Sequence, residues 1–196
     1  MAIDSFMAYK QYASQGGKWL DAESQVDLSK NSGEQMAKDL TAGCVFEVDS
    51  YSFGIEQTLN IGSQSSGAGA GKVSFNPFTI ERKIDKASPI FYAMACSGTA
   101  FERVILAMRK SSGGDMTGRF FLRFDFKLVA VKTISWEHDD ESPKESVEFE
   151  YGALFVTYGQ QGASGVIAPG NIWQKGWNRV KNVADADVTS PVGRDI

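Results

Sequence analysis

The stretch from 120 to 131 limits the folds open to this chain more than any other. Leu122, Phe124, Phe126 and Leu128 alternate there with Arg123, Asp125 and Lys127. A period of two is the side-chain period of a β-strand, so the pattern predicts one face in a core and the other among opposite charges. Lys132 interrupts it, and Ile134 and Trp136 resume the apolar phase. From 147 the alternation returns, with Val147, Phe149, Tyr151, Ala153 and Phe155 set against Glu148, Glu150 and Gly152. Beyond that the other face also turns apolar at Leu154, Val156 and Tyr158. A sheet with one solvated face needs no such cover, so something is expected to pack outside this strand's end.

Two more strands change phase midway. In 44 to 57, Phe46 and Val48 share a face, whereas Tyr51, Phe53 and Ile55 share the next one. One extra residue near Ser50 gives that shift, as a β-bulge does. In 73 to 84, Val73 and Phe75 give way across Pro77 to Phe78, Ile80 and Ile84. Proline inside a strand belongs at an edge or a bulge. Strands this bent suit a closed or nearly closed barrel, and the alternation of Val104, Leu106 and Met108 adds a strand over 101 to 110. One helix is expected over KASPIFYAMACSG, with Ser88 as cap, Pro89 in the first turn, Gly98 as stop and Ile90, Phe91, Met94 and Ala95 as its apolar stripe. A shorter helix over 32 to 42 would run from Ser32 to Gly43, with Met36 and Leu40 one turn apart. The reading is therefore mainly β: a compact antiparallel β-barrel with one flanking α-helix and extended loops, one domain over 1–196, with the barrel over about 1–158. Residues 159–196 form an extension that Ile172, Trp173 and Trp177 should keep ordered.

The run SSGAGAGKVSF, residues 65–75, resembles a phosphate-cradling loop and fails the test. That motif needs glycine five residues before Gly71 and a hydroxyl after Lys72, but Ser66 and Val73 stand there. A Gly/Ser loop between two strands is the expected structure. Catalytic groupings are likewise missing. His138, the single histidine, sits in the charged hairpin EHDDESPKE, and Glu148 with Glu150 reads as surface charge rather than a glycosidase pair. No cofactor, no metal and no enzymatic activity are expected.

A net charge of −4 argues against nucleic acid as partner. No stretch approaches the ~20 apolar residues of a membrane span. MAIDSFMAYK has neither the basic start nor the apolar core of a signal peptide, which predicts synthesis in the cytoplasm and export by a route that reads no such signal. Cys44 and Cys96 are expected to be reduced, buried thiols.

A family resemblance rests on five ordered motifs. Asp85-Lys86-Ala87-Ser88-Pro89 runs into a capped helix and then a strand ending Arg109-Lys110; Tyr51-Ser52-Phe53-Gly54 forms an aromatic-Ser-aromatic-Gly strand; Gly69-Ala70-Gly71-Lys72-Val73 closes a Gly-rich loop. Gly176-Trp177-Asn178 and then Asn182-Val183 follow near the C-terminus, and Ala2-Ile3-Asp4 through Phe6 fits as well. In these the chain resembles the haemolysin-coregulated protein family, tube subunits of the type VI secretion system. It departs over about 11–43 and 159–172, where it is longer. The resemblance implies homo-hexameric rings, stacked into a tube that a contractile sheath drives with a VgrG-like spike, carrying effector proteins. It implies secretion through that system. Ser50 and Ser52 would face the lumen; Gly62, Gly67, Gly69, Gly71 and Lys72 would belong to an arm packing between subunits or rings; Leu154, Val156 and Tyr158 would lie at a subunit interface. A phage tail-tube protein and a small-ligand-binding β-barrel are the alternatives.

Overall fold

The computed structural model describes residues 3–59, 70–110, 118–138, 143–162 and 166–184, with the side chains of 59 and 70–72 excepted. Among the described residues lie ten strands and one α-helix, besides short 3-10 turns: β1 (Ile3–Gln11), β2 (Phe46–Glu47), β3 (Ser50–Ser52), β4 (Ile55–Leu59), β5 (Ala70–Phe75), β6 (Phe78–Lys83), α1 (Ser88–Ser97), β7 (Ala100–Lys110), β8 (Phe120–His138), β9 (Pro143–Gly159) and β10 (Ile172–Asn178). One antiparallel sheet runs in the order β2-β1-β7-β8-β9-β6-β3, and β10 joins it on β9. The free edge of β9 is shared: β6 takes Lys144–Phe149 and β10 takes Ala153–Gly159. β4 and β5 pair with each other as a separate hairpin.

The sheet curls because its two ends are stitched by adjacent residues. The Val48 N–H donates to Ser5 O on β1 at 3.1 Å, and the Asp49 N–H donates to Glu81 O on β6 at 2.9 Å. The phase change expected as a bulge at Ser50 is thus a corner. The chain leaves β1 as β2, crosses at 48–49 and continues on β6 as β3. Pro77 likewise sits between β5 and β6 rather than inside a strand.

A second bend crosses three strands at once. Core-facing residues change parity from Phe101 to Val104 on β7, from Phe126 to Val129 on β8 and from Tyr151 to Leu154 on β9. Leu128, expected to continue the Phe124–Phe126 face, instead takes φ 51° and stays half-buried. Its facing residue is Gly152, where a Cβ would lie 3.1 Å from that of Leu128. Absence of a side chain there lets the sheet fold over. Leu154 consequently enters the core, and Phe155, not Leu154, turns outward, with the Lys127 ammonium 5.5 Å from its ring centre.

Inside the curl the core is largely aromatic. Tyr9 has the rings of Phe91, Phe46 and Phe101 at 5.0, 5.3 and 5.3 Å, and Phe78 stacks on Phe126 at 4.5 Å. Burial pushes the Tyr9 hydroxyl far above the usual phenol range, so it stays protonated. α1 packs Phe91 and Met94 into this core. Its N-cap is Ala87, not Ser88, and the Asp85 carboxylate accepts the Ala87 N–H at 2.8 Å. Gly98 ends the helix at φ 68°, as expected.

A second, outer core lies on the other face of β1, β7 and β8. It joins Phe6, Ala8, Ile105, Ala107 and Phe120 to Leu28, Met36, Ala37, Leu40 and Val45. The outer cover is therefore the 11–43 segment, which lies over these strands and reaches the end of β9, where a Cβ on Gly159 would lie 3.6 Å from the Met36 side chain. The expected helix at 32–42 is absent; two 3-10 turns, Ser29–Asn31 and Gln35–Ala37, carry that segment. Met36 and Leu40 are buried without it, because a turn of either kind presents them to Ile105 and Ala107. Both cysteines are free, but neither is buried: Cys44 is half-buried and Cys96 is exposed on α1.

Candidate assembly surfaces

Two buried ionic clusters hold in place the elements that set this chain's outer surfaces. The first fixes α1. Arg82 follows Phe78 and Ile80 at the same period of two, so the strand delivers it inward, where it is 1% exposed. Its guanidinium lies 5.3 Å from the Phe46 ring centre and 5.2 Å from that of Phe91, close enough for cation–π attraction. Arg82 ion-pairs with Asp85 and reaches Glu145 at 3.4 Å. Glu145 also accepts the Ser88 hydroxyl at 2.9 Å and the Trp136 indole N–H at 3.1 Å. The stretch Asp85–Pro89 therefore does more than start a helix: it ties α1 to β6, β8 and β9.

The second cluster clamps the 11–43 segment onto β8. Arg123 and Asp125, expected on a face of opposite charges, are paired there and both only 4% exposed. Arg123 Nε donates to Asp125 at 2.7 Å, and its Nη1 donates to Met36 O at 3.1 Å and Lys38 O at 2.5 Å. Arg103 bridges Asp125 at 2.5 Å and Asp39 at 2.8 Å. Burial by itself pushes the Asp125 carboxyl up, but the hydrogen bonds and charges of Arg123 and Arg103 outweigh it and hold that carboxyl below its usual range.

The strand with the aromatic-Ser-aromatic pattern divides as alternation requires. Tyr51 and Phe53 turn inward, with their rings 6.2 and 5.1 Å from Phe124. Ser50 and Ser52 are exposed, opposite Glu81 and Thr79, and the Ser50 hydroxyl donates to Glu81 at 2.9 Å. Ile55, expected on the buried face, is 52% exposed because the chain has by then left β6 for the β4–β5 hairpin. Of the Gly-rich run, Gly71 and Lys72 belong to the backbone of β5, while Gly62, Gly67 and Gly69 fall outside the described residues.

Of the three residues expected at a subunit interface, Leu154 is core, whereas Val156 and Tyr158 are exposed. β10 extends their surface. Trp173 pairs with Tyr158 in register and stacks on it at 6.3 Å. Of the three residues expected to order the extension, Ile172 and Trp177 are half-buried and Trp173 is exposed.

The carboxylates weighed as a catalytic pair are engaged elsewhere. Glu148 accepts from Thr133 at 2.8 Å and Lys132 at 3.0 Å, hydrogen bonds that hold its carboxyl below the ordinary value. Glu150 pairs with Arg179 at 3.2 Å. A general acid needs the opposite shift. His138 ends β8 opposite Pro143, as a hairpin requires; residues 139–142 lie outside the described residues. Among the described residues no group of three or more His, Cys, Asp or Glu is placed to hold a metal. No helix among them is long and apolar enough to cross a membrane.

The family model described as "Type VI secretion system effector, Hcp" matches residues 29–158. None of the curated proteins matches the chain. Among solved structures, one described as a type six secretion system protein superposes with TM-score 0.71 at 20% identity, covering 93% of this chain and 99% of its own. Hcp1 from Salmonella typhimurium gives TM-score 0.62 at 22% identity over 93% and 99%. Hcp3 from Pseudomonas aeruginosa gives 0.54 at 17% over 90% and 99%. At such identities the likenesses speak for the fold, while the family match spans the sheet from its outer cover to the end of β9. The chain belongs to the Hcp family of the type VI secretion system, a family of structural proteins and not of enzymes.

Proposed function

We propose that this chain is a tube subunit: six copies close a ring, rings stack, and the tube carries effectors out of the cell. A contractile sheath and a VgrG-like spike are its partners, and the route needs no signal peptide. The observation that carries the reading is membership of the Hcp family. Two features of the chain support it: an exposed aromatic surface on Tyr158 and Trp173, and a β4–β5 hairpin that pairs as a sheet of its own, apart from the main sheet.

The lumen wall is assigned to the face bearing Ser50 and Ser52. Small hydroxyl side chains make it shallow and polar, and both are exposed while Tyr51 between them packs inward. Ser52→Gln is expected to leave melting temperature and ring mass unchanged and to lower co-purification of an effector several-fold. Rings that fall apart would place Ser52 in an interface; unchanged carriage would place the lumen on another wall.

The Gly-rich arm is assigned to packing between subunits or rings. Shortening residues 63–70 costs little chain entropy, so circular dichroism and melting should match the parent. Tube assembly should fail or drop severely. Normal tubes and normal secretion from the shortened protein would reduce the arm to a connector.

A further inference from the structure

Two pairs of large aromatic side chains stand exposed, at opposite ends of the β8–β9 ladder. At one end Tyr158 (46% exposed) stacks on Trp173 (52%), opposite Leu122 of β8. At the other, Tyr92 of α1 (53%) lies 5.9 Å from Trp136 of β8 (49%). Leu122 and Trp136 are about 14 residues apart on one strand, a path of roughly 45 Å at the rise of an extended chain. The two pairs are therefore separate surfaces, and each is held rigidly. Trp136 is fixed through Glu145, and Trp173 through its pairing in β10.

We propose that these two surfaces are the two halves of one head-to-tail contact between neighbouring copies of this chain: Tyr92–Trp136 of one copy meets Tyr158–Trp173 of the next. The proposal rests on the ring reading. A closed ring or a stack of rings is built from heterologous contacts, in which two different patches of the same subunit meet. Half-exposed rings of this size offer roughly 100 Å² each, so four of them would supply about 400 Å² at the centre of an interface that needs about 1,000 Å². Charge fits as well. Beside Trp136 runs a cleft of about 380 Å³ whose exposed carboxylates are Glu81 and Glu137, with His138 and Lys144. β10 sets Lys175 two residues from Trp173, on the same side of the strand, and contains no carboxylate.

Tyr92→Glu and Trp173→Glu test this one surface at a time, and Tyr92 avoids disturbing the Glu145 hydrogen bond. Both variants should keep the parent's melting temperature, and each should weaken self-association at least about thirtyfold, as loss of an aromatic anchor does. Each variant retains the surface the other lacks. An equimolar mixture is therefore expected to form a species of twice the mass either variant forms alone, and the mass of the single variants tells whether the contact lies within a ring or between rings. Variants that assemble to the parent's size, or a mixture that shows no doubling, would overturn the proposal while leaving the ring reading intact. A parent chain that stays monomeric would overturn both.

Discussion

Arg82→Ala is expected to destabilise the protein by about 3–5 kcal/mol, the range for breaking a buried ion pair by removing one partner. For a chain of this length that corresponds to a fall in melting temperature of roughly 10 °C. Three losses combine. Glu145, with a fully buried side chain, would be left with only the Ser88 hydroxyl and the Trp136 indole as partners. Asp85, which caps α1 through the Ala87 N–H, would lose its cation. The guanidinium's contacts with Phe46 and Phe91 would leave a cavity beside Tyr9. Arg82→Lys should recover only part of this, because an ammonium lacks the planar fork that reaches both carboxylates. Urea unfolding reads the effect, and a loss below 1 kcal/mol would mean that the cluster is not what anchors α1.

Asp125→Asn is the second large effect, at about 3 kcal/mol near neutral pH. The amide keeps the shape but leaves Arg123, buried under the 11–43 segment, without its counter-charge. The pH dependence is specific. Asp125 has its pKa depressed in the fold, so its contribution is complete above the unfolded carboxylate's value of about 3.9 and drains as pH falls toward the lower folded value. The difference between parent and variant should thus be constant from about pH 5 to 8 and shrink below about pH 4. A difference that instead grows in acid would show the carboxyl to be raised by its burial. Hydrogen exchange should report the same clamp locally, with faster exchange at Leu40, whose N–H donates to Ala37 O at 2.9 Å, in the variant.

These two clusters also mark where the sequence could be read and where it could not. Strands came through clearly because alternation is local: Phe124, Phe126, Val147 and Phe149 are core, as their period requires. The same period places Arg82 inward after Phe78 and Ile80, so its burial was available to a reading that followed parity past a charge. Arg123 and Asp125 were not available in that way. Their face is polar by pattern, and it is buried only because a segment some eighty residues earlier in the chain lies across it. Nothing local encodes that contact. Leu154 was misplaced for a similar reason: the change of parity at Leu128 and Gly152 is a property of neighbouring strands bending together, not of β9 alone. On the assembly surfaces, the aromatic-Ser-aromatic motif gave Ser50 and Ser52 as exposed from a single strand's alternation. Trp173 was expected to seek burial, and in the single chain it lies half-open against Tyr158.

Self-assembly is the property on which a tube subunit depends, and the mass of the purified chain in solution tests it most directly. Native mass spectrometry at micromolar concentration is predicted to show six times the 21.4 kDa of one chain, with larger multiples of that ring as concentration rises. A single species at 21.4 kDa across the same range would contradict the tube-subunit reading.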